Sequence, residues 1–491
     1  MDRSTSNTKQ AFWIALGSLF TFSFSIISSA ILSRYFNKSD YGTYKQVFYI
    51  YSTLLTIFTL GLPKAYSYFL PRIEINQAKN LIKKITNLFY LMGGLLSILI
   101  FTLADHIAIF FHNPDLSLAL KIFSPVPLFM LPTMGLEGIL ATYKMTRVVA
   151  IYTVITKLTM LCLVTLPVII FDGNYIQSIM GFVIASFISF ILALFFKNYP
   201  VKNKGNQKCE TSYQEIFHFS LPLLYASLWG ILIGSADQFF ISRYFGKEIF
   251  AEFSNGSLEL PFVGMIVGAT SVVLSPIFSK MSHAKLDHQK DIFPIWKSVF
   301  EKSALLIYPL LLYTWFFADI IMVFLYGKQY ENSAIYFQIK SIINFFAIIV
   351  YAPLLINTGK VKYYSNTHCF IAILVIALEY ISIKTINSPY AISTISLFCQ
   401  LLKTFLLLYA VVKIFNVKYH QLFPIHLIIK IVMPSVLFLS LDYYILVNLL
   451  KLKNSWILIL GFLLYIIFYY IYARLIKLDY HSIIKPILNK I

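Results

Sequence analysis

The chain has 491 residues, of which 58% are hydrophobic and only 12% are charged, and its mean hydropathy is +0.75. Soluble domains carry about 25% charged residues, so this composition excludes an ordinary water-soluble protein. Hydrocarbon tolerates only helices and closed barrels, and the apolar runs here are continuous instead of alternating. We therefore predict an all-α integral membrane protein.

The formal net charge is +19, which on a soluble protein would suggest nucleic acid as a partner. In a membrane protein, Lys and Arg instead collect in cytoplasmic loops that face anionic lipid. No RNA- or DNA-binding pattern interrupts the loops, so no nucleic-acid partner is predicted. The 4 cysteines lie far apart and lack CxxC spacing, so we predict no disulfide, no metal site and no cofactor.

Apolar runs of roughly 20 residues predict fourteen membrane-spanning helices. The first begins near Ala11 and is too long for the apolar core of a signal peptide, so it is expected to remain as a membrane helix. In chain order the predicted spans are 11–32, 47–62, 85–103, 118–141, 149–171, 175–196, 216–241, 253–278, 304–325, 335–356, 370–383, 391–412, 427–450 and 456–475.

Basic residues are concentrated in the loops on the side of the N terminus. Lys197, Lys202, Lys204 and Lys208 follow span six, and the segment 280–302 follows span eight. By the positive-inside rule, both termini are predicted to be cytoplasmic. The segment 280–302, with Trp296, and the tail after Leu475 are predicted to rest on lipid headgroups, with contact to glycosyltransferases as the alternative.

A short repeat links two parts of the chain. Residues 31–36 read ILSRYF and residues 240–245 read FISRYF, and each copy closes the first helix of a six-helix block. Two parallel six-helix lobes, residues 1–209 and 210–419, are therefore predicted, followed by two further helices in 420–491. Paired halves in a membrane are typical of transporters.

The sequence around the first copy resembles a known signature. Residues 33–44 read SRYFNKSDYGTY, which is similar to the Arg, short loop and Asp-Tyr-Gly-x-Tyr pattern of bacterial polysaccharide flippases. Span seven is similar to the same family, with Pro222, Asp237 and the Gly246 that ends its loop. The family is that of the Wzx-type O-antigen and capsule flippases, within the multidrug/oligosaccharidyl-lipid/polysaccharide superfamily.

The resemblance covers the whole chain and implies a function. A family member is expected to move undecaprenyl-pyrophosphate-linked oligosaccharides from the cytoplasmic to the outer leaflet of the bacterial inner membrane. Its expected partners are the lipid-linked oligosaccharide, the bilayer and enzymes of polysaccharide biosynthesis. The resemblance names neither the sugar nor the coupling ion.

A pyrophosphate cannot cross hydrocarbon unaided, because burying an unpaired charge is very costly. Such a carrier needs cations along a wet cavity, and six basic residues lie inside or at the ends of the predicted helices: Arg34, Lys64, Lys144, Arg147, Lys157 and Lys403. Lys157 and Lys403 lie deepest, and either could neutralise phosphate. The alternative is that the others extend to the membrane interface.

Acidic residues at membrane depth are candidates for proton coupling, because a buried carboxylate can take up a proton. The candidates are Glu137, Asp237 and Glu379, and Glu259 lies at similar depth. The alternative for each is a structural ion pair with a lysine of a neighbouring helix. Three prolines, at positions 125, 127 and 132, precede Glu137 and are expected to bend or open span four.

Other classes of protein leave different sequence features. A membrane polysaccharide polymerase or glycosyltransferase would need a sizeable loop with clustered acids or His, and no P-loop, HExxH or GxSxG motif occurs. We therefore expect no enzymatic activity. A drug or cation exporter of the same superfamily would favour an acidic cavity over a basic one. A scaffold role without transport is a further alternative, against which the paired halves speak.

Overall fold

The computed structural model divides into two compact units, residues 1–251 and 252–491. It describes residues 7–202, 204–205, 207–284 and 287–480. Across these ranges every regular element is a helix and no strand occurs, which confirms the predicted all-α class. The two homologous lobes inferred from the repeat remain a prediction.

Unit 1 contains ten helices and the start of an eleventh within its described residues. They are α1 (Asn7–Tyr35), α2 (Lys38–Phe58), α3 (Pro63–Phe69), α4 (Ile75–Phe110), α5 (Asp115–Phe123), α6 (Val126–Met130), α7 (Leu136–Thr142), α8 (Thr146–Phe171), α9 (Tyr175–Asn198), α10 (Tyr213–Tyr244) and α11 (Gly246–Gly256), whose last residues belong to unit 2.

Unit 2 continues with a further eleven helices in the described ranges. They are α12 (Pro261–Ala284), α13 (Phe293–Phe316), α14 (Ala318–Tyr326), α15 (Ser333–Ser341), α16 (Asn344–Ala347), α17 (Ala352–Asn357), α18 (Val361–Thr385), α19 (Pro389–Phe415), α20 (Tyr419–Leu422), α21 (Ile425–Tyr443) and α22 (Asn454–Leu475). Single π-helical turns precede α13 and follow α21.

Eleven helical segments of the described chain are long and apolar enough to cross a membrane, or twelve if the pair around Phe317, bent by 72°, counts as one span. The predicted count of fourteen is not confirmed. The run 253–278 is divided between α11 and α12, and the run 335–356 is divided among α15, α16 and α17. Pro261 and Pro353 lie in the first turns that follow these breaks, where proline removes a backbone donor. Hydropathy alone does not register such breaks.

Span four is opened by its prolines, as the sequence predicts. Helix α5 ends at Phe123, and Pro125, Pro127 and Pro132 follow within a short helix and a 3-10 turn. Helix α7 then restarts after Gly135, whose φ of +76° lies in the left-handed region. This position favours glycine because it has no Cβ.

Helices α8 and α9 approach each other closely at one glycine of unit 1. A Cβ added to Gly181 of α9 would lie 2.0 Å from the carbonyl oxygen of Leu163 on α8. Nearby, the Ser178 hydroxyl donates to the Val164 carbonyl over 2.9 Å. Helix α8 also packs along α1, so it is held between α1 and α9. This packing fixes the height and rotation of the side chains that α8 presents.

Trp296 is buried inside unit 2 and does not rest on lipid headgroups, whereas that expectation for the rest of segment 280–302 stays a prediction. Its side chain is only 1% exposed, and its indole Nε1 donates to the Val350 carbonyl over 2.7 Å. The π-helical turn His288–Ile292 leads directly into α13, which carries Trp296 into the core of unit 2. The start of the tail also packs on unit 2, because the Tyr480 hydroxyl donates to the Leu305 carbonyl over 2.7 Å. Residues 481–491 lie outside the described residues.

Candidate functional site: a serine-lined cavity with two lysines

A cavity of about 350 Å³ opens within unit 1 between α1, α2, α8 and α9. Helix α1 contributes Ser25, Ser28 and Ser29, while Lys45 comes from α2 and Lys157 from α8. Aromatic and aliphatic side chains complete the wall, and no carboxylate lines it among the described residues. The cavity therefore combines hydroxyl groups and ammonium groups inside an apolar shell, which is an environment suited to an anion.

Lys45 is half-buried and points along the serine face of α1. Its Nζ donates to the Ser29 hydroxyl over 3.1 Å and lies 5.1 Å from the centre of the Tyr41 ring. In the part of the chain that the structure describes, no acidic side chain forms an ion pair with Lys45. Among the described residues, its charge is balanced by a hydroxyl oxygen and the face of an aromatic ring.

Lys157, half-buried on α8, faces the same cavity. No ion pair in the described ranges involves this residue. The sequence picked out Lys157 because it lies deep in an apolar run, and the structure places it in a cavity wall together with a second lysine. Its role in binding substrate stays a prediction.

The other predicted cations of unit 1 do not line this cavity. Arg34 is exposed at the end of α1, and Lys64 is exposed on α3. Lys144 and Arg147 are exposed around the start of α8, where the Arg147 guanidinium lies 5.8 Å from the centre of the Trp13 ring. These positions fit the alternative that they extend to the membrane interface. Lys403, half-buried on α19, belongs to unit 2.

The predicted coupling acids differ in burial. Asp237 is 1% exposed on α10, and its carboxylate accepts the backbone N–H of Gln238 over 2.8 Å. Glu379 is fully buried on α18 of unit 2, beside the α19 residue Cys399. Glu137 is exposed on α7, and Glu259 is exposed in the segment between α11 and α12. Burial thus favours Asp237 and Glu379 over the other two as proton acceptors.

Lys45 was missed by sequence reasoning because it precedes the apolar run that begins at Val47. The helix in fact starts at Lys38, so Lys45 lies two turns inside α2. The available signal was the capping pattern: the Asn37 side chain accepts the Asp40 backbone N–H over 2.8 Å. An Asn-x-x-Asp sequence before an apolar run marks a helix start and would have extended span two.

The flippase-like signature lies at a tight junction of helices. A Cβ added to Gly42 would lie 2.0 Å from the carbonyl oxygen of Lys247, so glycine permits the close approach of α2 and α11 there. Buried polar side chains surround this point: Gln46 donates to the Ser242 hydroxyl over 2.9 Å, and Asn113 donates to the Gln46 amide oxygen over 2.7 Å. The two Ser-Arg-Tyr-Phe copies occupy equivalent places, at the ends of α1 and α10.

Solved structures share this arrangement of helices. The lipid II flippase MurJ in an inward closed conformation aligns with a TM-score of 0.72 and 17% identity, over 95% of this chain and 100% of that one. A mutant of the Vibrio cholerae MATE transporter VcmN aligns with a TM-score of 0.60 and 14% identity, over 83% and 96% of the two chains. A transporter of the MOP superfamily from Pyrococcus furiosus aligns with a TM-score of 0.58 and 13% identity, over 83% and 95%.

These likenesses define the class: a multi-pass α-helical membrane protein with the fold of the MOP-superfamily transporters. No curated protein sequence matches the chain. The family model described as "Polysaccharide biosynthesis protein" matches residues 8–282, which is more than half of the chain. The chain therefore belongs to the polysaccharide biosynthesis protein family, and the resemblance drawn from the signature is confirmed at family level.

Proposed function

We propose that the protein is a flippase that moves undecaprenyl-pyrophosphate-linked oligosaccharide units across the bacterial inner membrane by alternating access. Both termini would face the cytoplasm, and the product would feed O-antigen or capsule assembly. Membership of the polysaccharide biosynthesis family supports this proposal, as does the fold shared with a lipid II flippase. The main structural support is the cavity of unit 1, whose lysine and serine side chains could bind a pyrophosphate.

Lys45 and Lys157 give that cavity two ammonium groups and no carboxylate from the described residues. Removing an ammonium group from water costs several kcal/mol, which is offset only by a well-placed opposite charge. A pyrophosphate would supply that charge and would accept hydrogen bonds from both lysines and from the serine hydroxyls of α1. The apolar wall would contact the lipid that carries the phosphate, while the sugars would remain in water.

Energy for transport would come from an ion gradient in this proposal. Asp237 and Glu379 are buried at membrane depth, and protonation would remove the cost of burying their charges. Glu137 follows the break in span four, where a change of backbone angle would be least costly. The coupling ion would then bias the two access states through these carboxylates.

A drug or cation exporter is the second candidate, because MATE transporters share the fold. The cavity of unit 1 argues against it, since its two lysines, with no carboxylate among the described lining residues, would repel a cationic drug. A membrane polymerase or glycosyltransferase is distinguished by the intermediate that accumulates when the gene is deleted. Loss of such an enzyme would leave single lipid-linked units in the outer leaflet, whereas loss of a flippase would trap them in the inner leaflet.

The deciding experiment is deletion of the gene, followed by measurement of lipid-linked oligosaccharide in each leaflet. Complementation with Lys45→Met and Lys157→Met should reduce surface polysaccharide by about tenfold or more, because each removes a charge-assisted contact to phosphate. Lys204→Met, at an exposed position of the linker after α9, should behave as wild type. Normal polymer in both cavity variants would refute the site.

Asp237→Asn separates coupling from binding. The amide keeps the shape of the side chain but cannot carry the proton, so surface polysaccharide should fall while the protein remains in the membrane. Binding of the lipid-linked substrate to the purified variant should persist. If polymer levels stay normal, Asp237 has no part in coupling and the structural ion pair remains as its explanation.

A further inference from the structure

A second pocket of unit 1 lies at the N-terminal end of α4 and the C-terminal end of α9, and its volume is about 500 Å³. It shares no lining residue with the cavity that holds Lys45 and Lys157. Its polar lining consists of hydrogen-bond donors, some of which also accept: Lys79, Lys83, Thr86, Asn87, Lys197 and Asn198. No acidic residue lines it in the described part of the chain, so three lysines line the pocket without an internal counter-charge.

Lys197 is the most buried of the three lysines that line this pocket, with only 1% of its surface exposed. Its Nζ donates to the Tyr66 hydroxyl over 3.1 Å and lies 4.8 Å and 5.5 Å from the ring centres of Tyr66 and Phe89. The Tyr66 hydroxyl also bonds the Thr86 hydroxyl over 2.9 Å, which fixes its orientation. The cation is therefore held in place by rings and hydroxyl groups.

These contacts do not balance the charge. The rings of Tyr66 and Phe89 and one hydroxyl offset only part of the free energy of removing an ammonium group from water, and no carboxylate within the described ranges pairs with Lys197. The C-terminal end of α9 favours a cation nearby, but this effect is weaker than the cost of desolvation. A methionine at this position would pack the same space without that cost. An anion bound in the pocket would offset the cost of keeping the ammonium charged.

The shape of the pocket indicates how such an anion is attached. Its lining on α4 runs from Lys79 to Tyr90, about 16 Å at the rise of an α-helix. Lys79 and Lys83 lie nearer the start of α4, while the Lys197 ammonium lies level with Thr86 and Phe89. Tyr90 and Leu194 add partly apolar surface, so the lining suits a ligand that carries both a charged group and an apolar part.

We propose that this pocket binds the phosphate group of a phosphate ester at the side of the membrane predicted to be cytoplasmic. Its source is either the head group of an acidic phospholipid or a soluble phosphate compound. Lys197 contacts the phosphate from the buried side, and Lys79 and Lys83 close over it from the rim. The proposal is independent of the proposed transport, since the two sites share no residue.

The test uses the full chain, purified in detergent. It is titrated with dioctanoyl phosphatidylglycerol, dioctanoyl phosphatidylcholine or inorganic phosphate, and binding is measured by native mass spectrometry and thermal shift. Phosphatidylglycerol should bind more tightly than phosphatidylcholine. Lys197→Met should weaken it by about tenfold or more, because one charge-assisted contact is lost. Lys208→Met, which removes an exposed charge at the same end of the unit, should change affinity less than about twofold.

Competition with inorganic phosphate and further lysine variants distinguish the remaining explanations. If inorganic phosphate binds equally well and competes with the lipid, the site stands and its natural ligand is soluble. Lys79→Met and Lys83→Met report on the rim if Lys197→Met fails to fold, and Lys157→Met should bind phosphatidylglycerol normally even where transport is lost. Equal binding of phosphatidylglycerol and phosphatidylcholine, without loss in Lys197→Met or in the rim variants, overturns the proposal.

Discussion

Gly181→Ala tests the close contact between α8 and α9, the helices that contribute Lys157 and Phe182 to the wall of the lysine cavity. The new Cβ would lie 2.0 Å from the carbonyl oxygen of Leu163 and 2.7 Å from its carbon. Ordinary carbon–oxygen contacts are about 3.3–3.6 Å, so the two helices must separate by about 1 Å or more. Neither atom belongs to a flexible side chain, so the strain cannot be relieved by a rotamer change.

Overpacking of this kind costs about 1–3 kcal/mol, and contact between two backbones places Gly181→Ala at the upper end of that range. The gain from replacing glycine by alanine in a helix is about 1 kcal/mol and offsets only part of it. A net loss of about 1–2 kcal/mol in the free energy of unfolding is expected. The Ser178 hydrogen bond to Val164 should lengthen as the helices part.

Thermal unfolding of the purified protein in detergent measures this effect. Gly94→Ala is the matched control, because no atom lies within 4 Å of the Cβ it would add to α4. That control should unfold at the wild-type temperature or slightly above it, owing to its better helix propensity. If both variants unfold at the same temperature, α8 and α9 do not approach each other closely at Gly181.

Two further predictions concern polar contacts of unit 1. Gln46→Leu removes the amide that bonds Ser242 and Asn113, so it should lower the free energy of unfolding by about 1–3 kcal/mol, measured by thermal unfolding; an unchanged value would contradict the buried network. Lys84→Met removes the ammonium that donates to the Cys209 and Thr211 carbonyls, each over 2.8 Å. Limited trypsin digestion should therefore cut the linker at Lys208 faster than in wild type. Equal cleavage would contradict the idea that Lys84 holds the linker in place.

Hydropathy located most membrane helices because each must bury its own backbone hydrogen bonds over a fixed thickness. It could not locate breaks whose flanks remain apolar, such as residues 257–260 between α11 and α12. The prolines of span four were different: three in close succession are incompatible with a regular helix, so that opening was predictable. Trp296 was wrongly expected at the membrane surface, because the charged residues near it in the sequence do not reveal which face of the helix packs into the core.

The candidate sites divide in the same way. Lys157 was found because a charge inside a long apolar run is conspicuous, whereas Lys45 and Lys197 lie at the ends of apolar runs and read as loop residues. Sequence alone cannot tell a terminal lysine that extends into water from one that turns back into the unit. Lys64 is exposed on α3, whereas Lys197 is buried against Tyr66 and Phe89, and the sequence does not reveal that packing.

The contrast between paired and unpaired cations supports an anionic ligand inside unit 1. At the ends of its helices, Lys121 lies 2.8 Å from Asp105 and Lys247 lies 2.6 Å from Asp115, and all four side chains are partly exposed. There an ion pair costs little desolvation and contributes little stability. Within the described residues, the more deeply placed Lys45, Lys157 and Lys197 have no such partner, although their charges are the most costly to bury. Purely structural lysines would be expected to show the opposite distribution, and a negative charge that arrives with a ligand would offset the cost at both proposed sites.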